Sequence, residues 1–135
     1  MTEAREFIRH ERVYYENTDA GGIVYHSNYL NFMERARCDW LHELGYDVVS
    51  TEEKFGIIWV VREANLVYNE PARLFDELTV SCRALQVGKV RLVVDQRVYN
   101  KDVLLCSATI KLATLNSTSY KLSPMPAELR AVLAG

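Results

Sequence analysis

The stretch Tyr14-Tyr15-Glu16-Asn17-Thr18-Asp19-Ala20-Gly21-Gly22-Ile23-Val24-Tyr25-His26 sets a carboxylate just before a diglycine and just ahead of a long amphipathic segment. A helix N-terminus carries unpaired backbone N–H donors and about half a positive charge, so a carbonyl lodged there is polarised. An acid held nearby attacks such a carbonyl or activates water against it. Asp19 is the candidate acid, and the backbone from Gly21 through Gly22 and Val24 to His26 is the candidate oxyanion site. Adjacent glycines let the main chain take unusual dihedrals and approach a substrate closely. This equipment suits acyl transfer. In an arbitrary protein, however, an Asp before Ala-Gly-Gly more often closes an Asx turn or caps a helix, and the residues alone leave both roles open.

The elements that must position this stretch follow from periodicity. Residues 6–15 mix aromatic and β-branched side chains with charges and predict a strand, and Asn17 to Gly22 predict a turn. From Ser27 to about Leu44, Tyr29, Leu30, Met33, Ala36, Trp40, Leu41 and Leu44 recur at helical spacing, with Ser27 or Asn28 as cap and Gly45 as stop. After a short connector containing Gly56, four segments alternate with period two and put their apolar faces on even-numbered positions. The first carries Ile58, Val60, Ala64, Leu66 and Tyr68, is interrupted by Arg62 and ends at Pro71. The others carry Leu78 to Ala84, Val90 to Val98, and Leu104 to Leu112, and Pro124 and Pro126 introduce a short terminal helix reaching Leu133. Strand, helix and four strands predict an α+β protein: an antiparallel five-stranded sheet with one long helix on its apolar face. The wide apolar arc of that helix predicts a sheet curved around it.

A chain of 135 residues with 49% hydrophobic content supports one core, so residues 1–135 read as a single domain. The net charge of −2, with no basic block, excludes a nucleic-acid binder. No apolar run has the length of a membrane span, and Met1 to Glu6 is polar where a signal peptide is basic and then apolar, which predicts a cytoplasmic protein. Cys38, Cys82 and Cys106, widely spaced among apolar neighbours, read as buried reduced thiols. His10 and His42 lack partners at metal-ligand spacing, so no metal is expected.

The opening stretch, extended through Ser27-Asn28-Tyr29 and followed by Glu34-Arg35-Ala36-Arg37, resembles the signature of hot-dog-fold acyl-CoA thioesterases. The likeness is strongest to the YbgC-like branch, related to the 4-hydroxybenzoyl-CoA thioesterases. A second match, Tyr68-Asn69-Glu70-Pro71-Ala72-Arg73-Leu74-Phe75-Asp76-Glu77-Leu78, extends it, so that it covers about Arg12 to Pro126. The resemblance implies a hot-dog fold, with the sheet wrapped around one long central helix and a short C-terminal helix. It also implies a homodimer or homotetramer with active sites at the dimer interface. The implied reaction is hydrolysis of an acyl-CoA or acyl-carrier-protein thioester, without a cofactor, coenzyme A being part of the substrate. Asp19 then corresponds to the catalytic carboxylate, as nucleophile or general base, and the His26 N–H to the donor that binds the thioester oxygen.

That chemistry raises further candidate roles, read from the residues themselves. The His26 side chain is either a hydrogen-bonding partner or general acid, or simply structural. Tyr15 and Tyr25 either line the acyl pocket or pack beside the turn. Glu34 either supports the site or, preferably, pairs with a neighbouring arginine, and Asp76 fixes a turn. Lys89 and Arg91, with Arg73, are candidates for the coenzyme A phosphates. Asn17 departs from the pattern, where relatives often carry an acid. A non-catalytic acyl-thioester-binding protein and a 3-hydroxyacyl-thioester dehydratase using His26 with Asp19 are the competing functions.

Overall fold

The computed structural model describes residues 5–135, so most of the polar N-terminal stretch, residues 1–4, lies outside the described residues. The elements run β1 (Phe7–Arg12), a 3₁₀ turn (Tyr15–Asn17), α1 (Asn28–Glu43), α2 (Val48–Phe55), β2 (Ile57–Tyr68), β3 (Glu77–Val87), β4 (Arg91–Asn100), β5 (Val103–Asn116) and α3 (Ala127–Ala134). The strands form a five-stranded sheet in the order β1-β3-β4-β5-β2, antiparallel throughout. β1 stops at Arg12 rather than running to residue 15, because the Val13 N–H bonds the Asp76 carbonyl and the chain then turns.

α1 lies on the sheet's inner face and buries Tyr29, Phe32, Met33, Ala36, Trp40 and Leu41. Phe32 replaces Leu30 in the expected stripe: Leu30 sits one helical step off the Tyr29–Met33–Ala36–Trp40 line and is 40% exposed. Beneath the helix, the β4 residue Gln96 is fully buried. Its Oε1 accepts from Arg37 Nη1 at 2.9 Å and its Nε2 donates to the Met33 carbonyl at 2.9 Å. Both ends of the amide are satisfied, so the polar group pins helix to sheet. Burial lowers the Arg37 pKa.

Two further departures from the sequence expectation lie at β2 and its approach. The connector before β2 contains α2, capped by Asp47, whose side chain accepts the Ser50 N–H, and ended by Gly56 in the left-handed region at φ 68°. Nothing lies within 4 Å of a Cβ built on Gly56, so only backbone strain opposes a side chain there. Gly56→Ala is expected to lower stability by about 1–2 kcal/mol, read as a shifted urea midpoint with unchanged slope.

The second departure is the parity of β2. Its register against β5 shifts between Val61 and Glu63, with Arg62 as the extra residue. Before the bulge, Trp59 and Val61 stand opposite Thr114 and Leu112; after it, Ala64, Leu66 and Tyr68 stand opposite Ile110, Ala108 and Cys106. One inserted residue reverses which positions face inward, so the even-numbered face holds only from Ala64 onward.

The thiols also divide. Cys82 and Cys106 are buried and desolvation pushes each up to about 12, whereas Cys38 is exposed on α1, contrary to expectation. α3 follows Pro126 and seats Leu129 and Leu133 in the core. No helix among the described residues is long and apolar enough to cross a membrane.

Candidate active site

The loop between β1 and α1 folds back on itself. Thr18 and Val24 form an antiparallel bridge, the Asp19 N–H donates to the Ile23 carbonyl at 2.9 Å, and the Tyr25 N–H donates to the Asn17 carbonyl at 2.8 Å. At the tip, Asp19 Oδ1 accepts the Gly21 N–H at 2.8 Å, closing an Asx turn, and Gly22 follows at φ 79°. The turn engages one carboxylate oxygen; the other, Oδ2, has no partner among the described residues, and Asp19 is exposed. The Asx role therefore leaves one carboxylate oxygen unengaged.

Asn17 explains how a neutral amide serves at this position. It is buried, its Oδ1 accepts the Tyr14 N–H at 2.9 Å, and its carbonyl takes both the Tyr25 N–H and the Asn28 Nδ2 donor. The tie to the head of α1 runs through that main-chain carbonyl, while the uncharged side chain closes the turn onto Tyr14. Ser27 occupies the cap position but its hydroxyl makes no capping bond, and Asn28 is the first helical residue. The N–H groups of His26 and Ser27 find no acceptor among the described residues.

The turn after β2 supplies the facing wall. The Val24 N–H donates to the Ala72 carbonyl at 2.9 Å, and Ile23 bridges to Arg73. The Ala72 N–H donates to the Tyr29 hydroxyl, and the Tyr68 hydroxyl donates to the His26 carbonyl at 3.0 Å. Between the walls lies a groove of about 320 Å³ lined by Ile23, Val24, His26, Tyr29, Tyr68 and the Asn69–Pro71 turn. Its lining is largely apolar, with His26 at the head of α1 on one side. Such a lining suits a carbonyl that carries an apolar substituent.

The family model described as the thioesterase-like superfamily matches residues 13–133. The chain belongs to that superfamily. It is similar to the acyl-CoA thioesterase YbgC of Haemophilus influenzae, at 36% identity over 120 residues covering 89% of this chain and 88% of that protein. It is likewise similar to the acyl-CoA thioester hydrolase YbgC of Escherichia coli, at 35% identity over 123 residues covering 89% and 90% of the two chains. The crystal structure of a probable thioesterase from Bartonella henselae superposes with a TM-score of 0.86 at 26% identity, covering 90% of this chain and all of that one. The curled antiparallel sheet around α1 is the superfamily's hot-dog fold.

Within this hot-dog protein the expected site residues separate into near and far. Val24 and His26 line the groove, and Asp19 is backbone-paired to Ile23 in its wall without itself lining it. Gly22 lies in the same turn. Tyr25 is exposed with its ring 4.5 Å from that of His26. Tyr15 lies apart: it is 74% exposed and meets Phe75 edge-on.

Lys89 and Arg91 are not brought to the groove within one chain. Arg91 pairs with Ala113 and Tyr68 with Cys106, seven residues apart along β5, a separation of about 23 Å at the rise of a strand. Arg73, bridged to Ile23, is the nearer cation. Asp76 does fix its turn, accepting the Arg73 N–H at 2.9 Å. Glu34 makes no ion pair among the described residues, since Arg35 pairs with Glu11 instead; Glu34 faces a second cavity with Arg37 and Trp59. Sequence reasoning missed Tyr68 and Tyr29 as lining of this groove. Tyr68 opens the second motif, yet its contact with His26 spans 42 residues and has no local signal.

Proposed function

We propose that this chain hydrolyses acyl-CoA thioesters to the free acid and coenzyme A. The observation that carries the reading is that one loop holds both elements: unengaged N–H groups at the head of α1, and, in the turn that leads into it, a carboxylate with one free oxygen. Its similarity to the YbgC acyl-CoA thioesterases supports the same reaction. The thioester carbonyl lodges against the His26 N–H, where charge growing on its oxygen is stabilised. Asp19 acts in one of two ways. As base, it takes a proton from the water whose oxygen attacks the acyl carbon; the C–S bond then breaks and the departing thiolate is protonated. As nucleophile, its oxygen attacks directly and expels the thiolate, and water hydrolyses the resulting mixed anhydride. Neither route calls for a metal or cofactor.

A second copy of the chain is part of this reading. β2 is a 12-residue edge strand whose Val61, Val67 and Tyr68 are about half exposed, and such an edge is prone to pair with another strand. Pairing through β2 would enclose the groove and bring partner groups, including the phosphate candidates Lys89 and Arg91, within reach of a bound coenzyme A. Purified protein incubated with straight-chain and aryl acyl-CoAs under thiol detection tests the reaction. The expected result is stoichiometric release of thiol and acid from at least one class. Tight binding without release would instead favour the non-catalytic binding protein.

A further inference from the structure

Tyr68 reaches from the end of β2 to the head of α1, where its hydroxyl donates to the His26 carbonyl at 3.0 Å. That carbonyl and the Ser27 N–H are the two ends of one planar peptide unit. A donor on the oxygen fixes the plane, and it draws electron density toward the oxygen, which sharpens the N–H at the other end. The preceding unit, the Tyr25 carbonyl with the His26 N–H, is held in the same manner, its oxygen accepting the Asn28 N–H at 2.9 Å. Two consecutive peptides are thus pinned by their oxygens while neither N–H has an acceptor among the described residues.

The phenol is itself well located. Its ring stands edge-on to Tyr29, with centroids 5.5 Å apart, and edge-on to His26 at 6.4 Å. Partial burial, with the nearby Cys106, raises its pKa above the ordinary tyrosine value.

We infer that Tyr68 is a positioning residue for hydrolysis: by holding the His26–Ser27 peptide it makes the Ser27 N–H a second donor to the thioester oxygen, beside that of His26. The inference rests on the thioesterase reading above. It assigns Tyr68 no contact with the reacting atoms, only with the peptide that meets them.

Tyr68→Phe removes the hydroxyl and keeps the ring, so packing against Tyr29 and His26 survives. Losing one oxyanion donor outright lowers kcat by about 10²–10³; loosening one is expected to lower it about tenfold, with KM changed less than about twofold. On the matching dithioester, with sulfur in place of the carbonyl oxygen, hydrogen bonding to the reacting atom is weak, and wild type and variant should differ by less than about threefold.

A readout independent of turnover is the Ser27 amide in a ¹⁵N–¹H spectrum, whose proton should move upfield in the variant while that of His26 changes less. Unchanged kcat, a rise in KM alone, an equal deficit on the dithioester, or an unmoved Ser27 resonance would each overturn the inference. A wild-type protein without turnover on any acyl-CoA would remove the thioesterase reading and this inference together. An active wild type matched by its Tyr68→Phe variant would remove the inference only.

Discussion

Asp19→Asn is expected to fold as the parent does and to lose about 10³-fold or more in kcat on acyl-CoA. The reason is geometric. The Asx turn uses Oδ1, which accepts the Gly21 N–H, and an asparagine oxygen closes the same turn, without the charge. What the amide lacks is the second anionic oxygen, which has no partner among the described residues and is the one available to attack carbon or take a proton. Both routes proposed for Asp19 fail with that oxygen gone. An unchanged thermal midpoint alongside the loss separates chemistry from folding, and wild-type rates in the variant would leave Asp19 with its turn-closing role alone. Asp19→Ala removes both the oxygen and the turn, and should therefore show a lowered midpoint as well.

The largest stability effect is expected at Phe32. Its side chain is fully buried between α1 and the sheet, and truncating a buried Phe costs about 3–5 kcal/mol, because the cavity left behind adds to the lost transfer energy. Against total stabilities of about 5–15 kcal/mol, Phe32→Ala should unfold at a much lower urea concentration. Leu30→Ala, two positions earlier on the exposed side, should stay within about 0.5 kcal/mol. The reverse order would mean that the inward phase of α1 is wrong.

These residues also mark what the sequence could and could not disclose. A sixteen-residue helix repeats its signal over several turns, so α1 was legible, and the apolar alternation of β3 to β5 placed the sheet. The phase of α1 was less secure, because Leu30 and Phe32 are equally apolar and only the neighbouring sheet decides between them. α2 is too short for periodicity to register, and its Val48-Val49 start favours strand by local preference. The parity of β2 turned on a single extra residue: Arg62 was visible as an interruption, but an interruption does not say that the chain bulges rather than exposes one charge.

At the site, everything local was accessible. Asp19, the diglycine and His26 lie within one loop, and the turn chemistry follows from residue type. The contacts that complete the groove were not. Tyr68, Tyr29 and Ala72 meet the loop only after β2 has crossed the molecule, as the Tyr68–His26 and Tyr29–Ala72 bonds show. Lys89 and Arg91 were selected by charge and a nearby glycine turn. The strand register, which charge does not reveal, sets them at the other end of the sheet.

The most direct test is a crystal structure of the Asp19→Asn variant with an unhydrolysed acyl-CoA. The expected result is a thioester oxygen about 3 Å from the His26 nitrogen, a hydrogen-bonding distance, with the substituted side chain at position 19 facing the acyl carbon and the acyl group in the groove beside Tyr68. A thioester bound away from the head of α1, or one whose carbon that side chain cannot reach, would contradict the assignment of Asp19 and the helix head as the reacting pair.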